Sequence, residues 1–273
     1  MTEQQAEHQI RQQREQCCII PPDDTPLGDK SIILHLDMDC FFAACEVRQD
    51  PGLNGKPVVI GADPKEGKGR GVVCTASYEA RPFGIHSAQP ISQAYKACPT
   101  AIFLPVNGKL YWDTSRRIMD IVSKYGRRYE KASVDEMYLD ITGLVHTVAD
   151  AREFAQAIKD ELIRKEGLTC SIGIGPNRKV AKVASDYNKP DGYTIVPETH
   201  AKYFFAPLNV KKIPGIGPKS AERLAELGIF TVGDIAKKTQ NFLLYHFGKY
   251  GQWMHDIARG LGEEARVEQV QHG

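Results

Sequence analysis

The chain has 273 residues, 42% of them hydrophobic and 25% charged, which describes an ordinary globular protein with room for two or three modest domains. The formal net charge is +1, with three basic and six acidic side chains in residues 1–30 and a weakly basic remainder, so bulk charge alone does not announce a nucleic-acid binder. No run approaches the ~20 apolar residues needed to span a bilayer, and the Gln- and Glu-rich start has no signal-peptide core.

Residues 1–30 read as a polar extension ending in the Pro-rich stretch Pro21–Pro26. A strand at 31–37 opens the folded part, and a short helix at 41–48 is closed by Pro51-Gly52. Strands at 58–61 and 71–75 flank a loop from Asp63 to Arg70. Its Gly67-Lys68-Gly69-Arg70-Gly71 run lacks the Gly-Lys-Ser/Thr ending of a phosphate-binding loop and reads as a basic turn. Helical spacing covers 88–97 and 108–125, followed by a strand at 132–141, a helix at 148–165 and a strand at 168–174. A helix at 178–187 follows, with Asn177 as N-cap and with Arg178, Lys179 and Lys182 opposite Val180, Val183 and Ala184. Mixed strands with interleaved helices predict an α+β fold.

After Pro197 the chain changes to short helices with glycine turns. Pro214-Gly215-Ile216-Gly217-Pro218-Lys219 before an Ala/Leu helix has the form of a helix-hairpin-helix, and Thr231–Asp234 has the form of a capping box. Gly215 and Gly217 would let backbone N–H groups approach a duplex phosphate, with Lys219 adding charge; a plain turn between helices is the alternative. Seven cysteines (17, 18, 40, 45, 74, 98 and 170) form no C-x-x-C pair or zinc pattern, which fits reduced thiols in the cytoplasm, or in the nucleus of a nucleated host.

The chemistry sits in two acidic pairs, Asp37-Met38-Asp39 and Asp135-Glu136, each inside an apolar run that reads as a buried strand. Buried carboxylates are costly unless paired or bound to a cation. Several brought together from two strands make an oxygen-only cluster suited to Mg²⁺. They are the ligand type of two-metal phosphoryl transfer; solvent-facing strand ends are the alternative. Asp37 and Asp39 share one side of their strand. Asp135 and Glu136 are neighbours, so both reach one site only near a bend, bulge or strand end.

Four segments taken together resemble the Y-family translesion DNA polymerases, on the DNA polymerase IV branch. They are Leu36–Ala43 (LDMDCFFA), Thr75–Gly84 (TASYEARPFG), Ala132–Asp140 (ASVDEMYLD) and the Pro214–Lys219 hairpin. The resemblance runs in order from about residue 31 to about 265. It implies a right-hand-like core with a mixed, largely antiparallel palm (31–40 and 107–196), small α/β fingers (41–106) and an all-α helix-hairpin-helix thumb (197–262). A little-finger domain usually follows; residues 263–273 match only a linker stub, so its absence from this chain is expected.

The implied roles are these. Asp37, Asp135, Glu136 and the Met38 backbone carbonyl hold two Mg²⁺ ions, for which Mn²⁺ can substitute. Glu136 is the catalytic acid near the primer 3′-hydroxyl, and Asp39 lies behind the ligands. Phe42 is the steric gate against a ribose hydroxyl. Phe41, Thr75, Tyr78, Arg81 and Lys189 contact the nucleotide. Cys40 departs from the pattern, standing where many relatives carry an aromatic residue. The implied activity is low-fidelity, template-directed addition of dNTPs to a primer without proofreading, by a monomer on primer–template DNA, with a sliding clamp as a further partner. A silent accessory paralogue, a palm-fold nucleotide cyclase and a plain DNA-binding module are the competing readings.

Overall fold

The computed structural model describes residues 21–28 and 30–261; Cys17-Cys18, the polar start and the 263–273 stub lie outside them. A five-stranded sheet forms the centre. Its strands are β1 (Ile33–Met38), β5 (Arg128–Lys131), β6 (Glu136–Asp140), β7 (Cys170–Gly175) and β8 (Tyr193–Ile195), in the order β5-β6-β1-β7-β8. β1 runs antiparallel to both β6 and β7, while β7 and β8 are parallel, so the sheet is mixed.

β1 is buried along its whole length because both of its faces are covered. Leu34, Leu36 and Met38 join the main core with α3 (Gly108–Val122) and α4 (Val148–Glu166). The alternate residues Ile33, His35 and Asp37 share the opposite face, where Ile33 packs on Ala181 of α5 (Arg178–Tyr187). α5 lies close on the sheet because Gly173 has no side chain; a Cβ there would meet the Ala181 carbonyl at 1.9 Å. Asn177 caps α5, its side chain accepting from the N–H groups of Lys179 and Val180.

A second, three-stranded sheet of β2 (Val58–Gly61), β3 (Val73–Ala76) and β4 (Ile102–Leu104) packs with α2 (Ile91–Ala97) around its own core, including Val59, Val73, Ile85 and Ile91. It is linked to the central sheet by α1 (Phe41–Gln49). Beyond Val196 a third core gathers α6 (Ala201–Phe205), α7 (Pro218–Glu226), α8 (Val232–Ala236), α9 (Gln240–Phe247) and α10 (Lys249–Ile257) around Phe205, Leu224, Val232, Leu243 and Met254. The capping box at Thr231/Asp234 is formed as the sequence predicts.

Three expectations are corrected. The strand predicted over 132–141 begins only at Glu136; residues 132–135 turn a β5–β6 hairpin in which the Ala132 and Ser133 N–H groups donate to the Glu136 carbonyl. β4 and β8 were not predicted: each is three residues long, too short to display a period. Residues 23–28 are no free appendage. Leu27 is 3% exposed, its N–H donates to the His146 carbonyl, and the Val148 and Ala149 N–H groups donate to Thr25 and Asp23. Asp23 also pairs with Arg152, fastening this strap to the first turns of α4. No described helix is long and apolar enough to cross a membrane.

Candidate active site

The end of β1 brings the acidic pairs together. Asp37 and Glu136 are direct register partners across β1 and β6, and the Met38 N–H donates to the Asp135 carbonyl at 3.0 Å. Glu136 is the first residue of its strand and Asp135 the last of the turn, which is the strand-end geometry two adjacent carboxylates require. The Asp135 carboxylate is turned onto the Ser133 hydroxyl, which donates to Oδ1 at 2.5 Å. Met38 contributes its side chain to the core, where it is 2% exposed.

Both strand-end carboxylates already carry a cation. Lys189 Nζ lies 2.7 Å from Asp37 Oδ2 and 2.9 Å from Asp186 Oδ1. Lys182 Nζ lies 2.5 Å from Glu136 Oε2, and His35 Nε2 approaches that same oxygen at 3.3 Å. Lys182, Ser185, Asp186 and Lys189 recur at helical spacing along α5 and the residues after it, on the side toward His35 and Asp37. Two residues of the predicted basic face are therefore engaged with the sheet, Arg178 forking onto Glu130 and Lys182 reaching Glu136, while Lys179 lies over the Trp253 ring.

Burial and charge pull the two carboxylates apart in acidity. Burial raises Asp37 to about 6 against the opposing Lys189 ammonium. Glu136 is lowered to about 2, first by the His35 hydrogen bond, with Lys182 adding to it against the cost of burial. Burial pushes the His35 imidazole down from its ordinary pKa, and its Nδ1 lies 2.7 Å from the Ser185 hydroxyl. Asp39 serves as an anchor. Ser171 and Tyr78 hydroxyls donate to its Oδ1 at 2.8 and 3.3 Å, and the Asp191 N–H to its Oδ2 at 2.8 Å. It thereby fixes the turn that carries Lys189.

The donors fit Mg²⁺ by type, being oxygens throughout. Among the described residues no three His, Cys, Asp or Glu side chains form a ready metal cage. Mg²⁺ itself takes one or two carboxylates and completes its shell with water and substrate phosphates.

The predicted nucleotide residues lie around this end. Phe42, at the start of α1, is half-buried and stacks on Tyr111 with centroids 4.2 Å apart and planes 8° from parallel. The Tyr111 hydroxyl donates to Glu46 Oε1 at 2.7 Å. Phe41 is 2% exposed, its ring in the core rather than facing a ligand. The Arg81 guanidinium lies 4.1 Å from the Tyr78 ring centroid. Thr75 is half-buried in β3. Cys40 precedes α1 with φ 37°, a left-handed conformation unusual for a side-chain-bearing residue, and burial pushes its thiol up to about 11.

The thumb hairpin is separate. Gly215 has φ +104°, and its carbonyl accepts from the Tyr250 hydroxyl. Gly217 is exposed at the N-cap of α7 with nothing within 4 Å of an added Cβ, and Lys219 is exposed beside it. Sequence reasoning missed His35, Lys182 as a Glu136 partner, and Tyr111. The signal for His35 was present: it is the one polar residue in Ile32–Leu36, two positions before Asp37 and thus on the same strand face.

Comparison with known proteins places this geometry. The family model described as impB/mucB/samB matches residues 36–186, and one described as DNA polymerase-iota, thumb domain, matches 211–262. DNA polymerase IV of Methanoculleus marisnigri is 48% identical over 232 residues, covering 85% of this chain and 64% of that protein. DNA polymerase IV 2 of Methanosarcina mazei is 46% identical over 241 residues, covering 88% and 65%. The chain thus spans a little under two thirds of the length of these curated relatives. Among solved structures, DinB from Sulfolobus solfataricus superposes with TM-score 0.79 at 35% identity, covering 87% of this chain and 69% of that one. An insertion ternary complex of Dbh DNA polymerase gives TM-score 0.77 at 36% identity, covering 86% and 69%. The chain belongs to the impB/mucB/samB family, the Y-family DNA polymerases, and is similar within it to the DNA polymerase IV branch.

Proposed function

We propose that this chain is the catalytic core of a low-fidelity, template-directed DNA polymerase acting in DNA damage tolerance. Its division follows the family: palm 31–40 and 107–196, fingers 41–106, thumb 197–262. The observation that carries the reading is the Asp37–Glu136 register pair, each member countered by an ammonium group, with Asp135 at the same strand end. Carboxylates assembled this way serve to hold divalent cations.

Asp37, Asp135, Glu136 and the Met38 carbonyl would hold two Mg²⁺ ions. When bound, these supply Lewis acidity at the attacking and leaving oxygens of an in-line displacement. The remaining work belongs to the chain. Tyr78, Arg81 and Lys189 orient the triphosphate, a phenol donor and two cations being suited to phosphate oxygens. Phe42, braced on Tyr111, closes the space beside the sugar C2′. The primer 3′-oxygen then attacks the α-phosphate, the bond to the bridging oxygen breaks, and pyrophosphate departs. In the thumb, the Gly217 hairpin and Lys219 would grip duplex phosphates irrespective of base sequence.

Primer–template DNA and dNTPs are accordingly the substrates, with a sliding clamp and a monomeric, cytoplasmic state following the family pattern. A thumb match over 211–262 disfavours a nucleotide cyclase, and intact carboxylates disfavour a silent paralogue. The test is extension of a labelled primer with single dNTPs, with and without Mg²⁺. Template-matched, Mg²⁺-dependent extension supports the reading; none under any divalent cation overturns it.

A further inference from the structure

Lys182 is not among the residues to which the reaction scheme gives work. Its Nζ lies 2.5 Å from Glu136 Oε2, and among the described residues Glu136 is the one carboxylate it pairs with. Lys189 differs, because it holds Asp186 at 2.9 Å as well as Asp37. Asp37 and Glu136 stand directly opposite one another, and like charges so placed repel. One ammonium on each carboxylate removes that repulsion without any added ion.

The partners on the shared Glu136 oxygen have different freedom. His35 is 0% exposed, and its ring is held from behind by Ser185, whose hydroxyl also donates to the Lys182 carbonyl at 2.8 Å. The ring cannot follow a displaced carboxylate. The lysine side chain is 27% exposed and carries its charge on a flexible four-carbon stem, so it can swing away at modest cost.

We propose that Lys182 is a place-holding counter-ion: its ammonium neutralises Glu136 while no divalent cation is held there, and yields the position when one is, with His35 keeping the carboxylate aimed. This rests on the reading of Asp37, Asp135 and Glu136 as cation ligands. It deepens that reading by making divalent-cation uptake weak until a nucleotide supplies further negative charge. Lysine and nucleotide then act together as a check against filling the site with cation alone. A lysine that merely propped Glu136 in place would have the opposite effect, since removing it would loosen a ligand and weaken uptake.

The experiment is a nucleotide-free Mn²⁺ titration, following free Mn²⁺ by electron paramagnetic resonance, on the parent chain, Lys182→Met, Lys182→Arg and Glu136→Gln, with circular dichroism as a fold check. Lys182→Met should bind Mn²⁺ about three- to fivefold more tightly than the parent, the size expected from removing a partly exposed ion pair that must otherwise be opened. Lys182→Arg should stay near the parent, and a non-hydrolysable dNTP analogue should narrow the difference. Equal or weaker binding by a folded Lys182→Met overturns the proposal while leaving the metal-site reading intact. Should Lys182→Met not fold, Lys182→Gln reads the same difference; failure of both to fold makes the lysine structural and also overturns it. A parent that takes up no Mn²⁺ even with the analogue, or a Glu136→Gln that binds as the parent does, overturns the metal-site reading itself.

Discussion

Asp37 and Glu136 face each other across adjacent antiparallel strands, and each gives one carboxylate oxygen to a lysine from the same helical side of the molecule. Each member of this pair is thus balanced by a lysine without added ions, yet both are groups that a divalent cation can claim. The proposed function and the acid–base behaviour both rest on that balance.

The pH response has two opposed parts. Asp37 sits at about 6, above its ordinary 3.8, so its contribution to stability is fully present below about pH 4 and is lost as pH rises through 6. Glu136 sits at about 2, below its ordinary 4.5, so its contribution is present above 4.5 and lost as pH falls toward 2. Lowering pH from 7.5 to 5 should therefore raise the cation-free melting temperature while reducing Mn²⁺ uptake, because protonated Asp37 cannot serve as a ligand. Asp37→Asn should flatten both trends. Uptake unchanged across pH 6 contradicts the assignment.

Phe42 stacks on Tyr111, whose hydroxyl is tied to Glu46. Phe42→Ala should incorporate ribonucleotides at least about tenfold better relative to dNTPs, because the ring no longer fills the space beside C2′. Tyr111→Leu removes the brace but leaves the ring, and should relax discrimination by a smaller factor. Competition between matched rNTP and dNTP in single-nucleotide extension measures both. Unchanged discrimination in Phe42→Ala would return that ring to the core.

Much of this was legible in the sequence, and the parts that were not share physical reasons. β1, α5 and the caps at Asn177 and Thr231 carry strong local signals: an apolar run, an amphipathic period, and side chains that satisfy helix-start N–H groups. The 132–135 turn was hidden because Ser133 and Val134 look like strand residues, and only pairing with β5 shows the chain reversing. The strap at 23–28 looks like a linker by its prolines and aspartates, and Leu27 alone hinted at docking. The carboxylates were legible as residue types. Their lysine partners were not, because an ion pair between α5 and β6 spans 46 residues.

Glu166 closes a buried junction of three helices. It accepts from Arg48 Nη1 at 2.8 Å and from Arg117 Nε at 2.8 Å, while Thr114 accepts from both arginines. Glu166→Ala leaves Arg48 without its carboxylate and should cost about 2–3 kcal/mol, discounted because Arg117 is half exposed. Urea unfolding reads the loss as a lower midpoint. Because α1 carries Phe42 and Arg48, the same variant should loosen sugar discrimination before it unfolds.

The two hairpin glycines have separable jobs. A Cβ on Gly215 would lie 2.8 Å from the Trp253 ring at a φ of +104°, so Gly215→Ala should destabilise the thumb by about 1–3 kcal/mol. A Cβ on Gly217 meets nothing, so Gly217→Ala should keep the fold within about 1 kcal/mol and weaken duplex binding. Thermal melts beside fluorescence anisotropy on a labelled duplex distinguish them. Loss of stability in Gly217→Ala with binding preserved would contradict the division.

The central claim is that the strand-end carboxylates perform phosphoryl transfer. Asp135 is the cleanest probe, since its side chain contacts Ser133 alone among the described hydrogen bonds and ion pairs and its removal leaves the sheet register untouched. The measurement is single-turnover primer extension by the parent and Asp135→Ala, beside far-ultraviolet circular dichroism. The account predicts a folded variant whose incorporation falls by at least about 10²–10³-fold. Near-parental incorporation by a folded Asp135→Ala would show that the chemistry, if any, lies elsewhere.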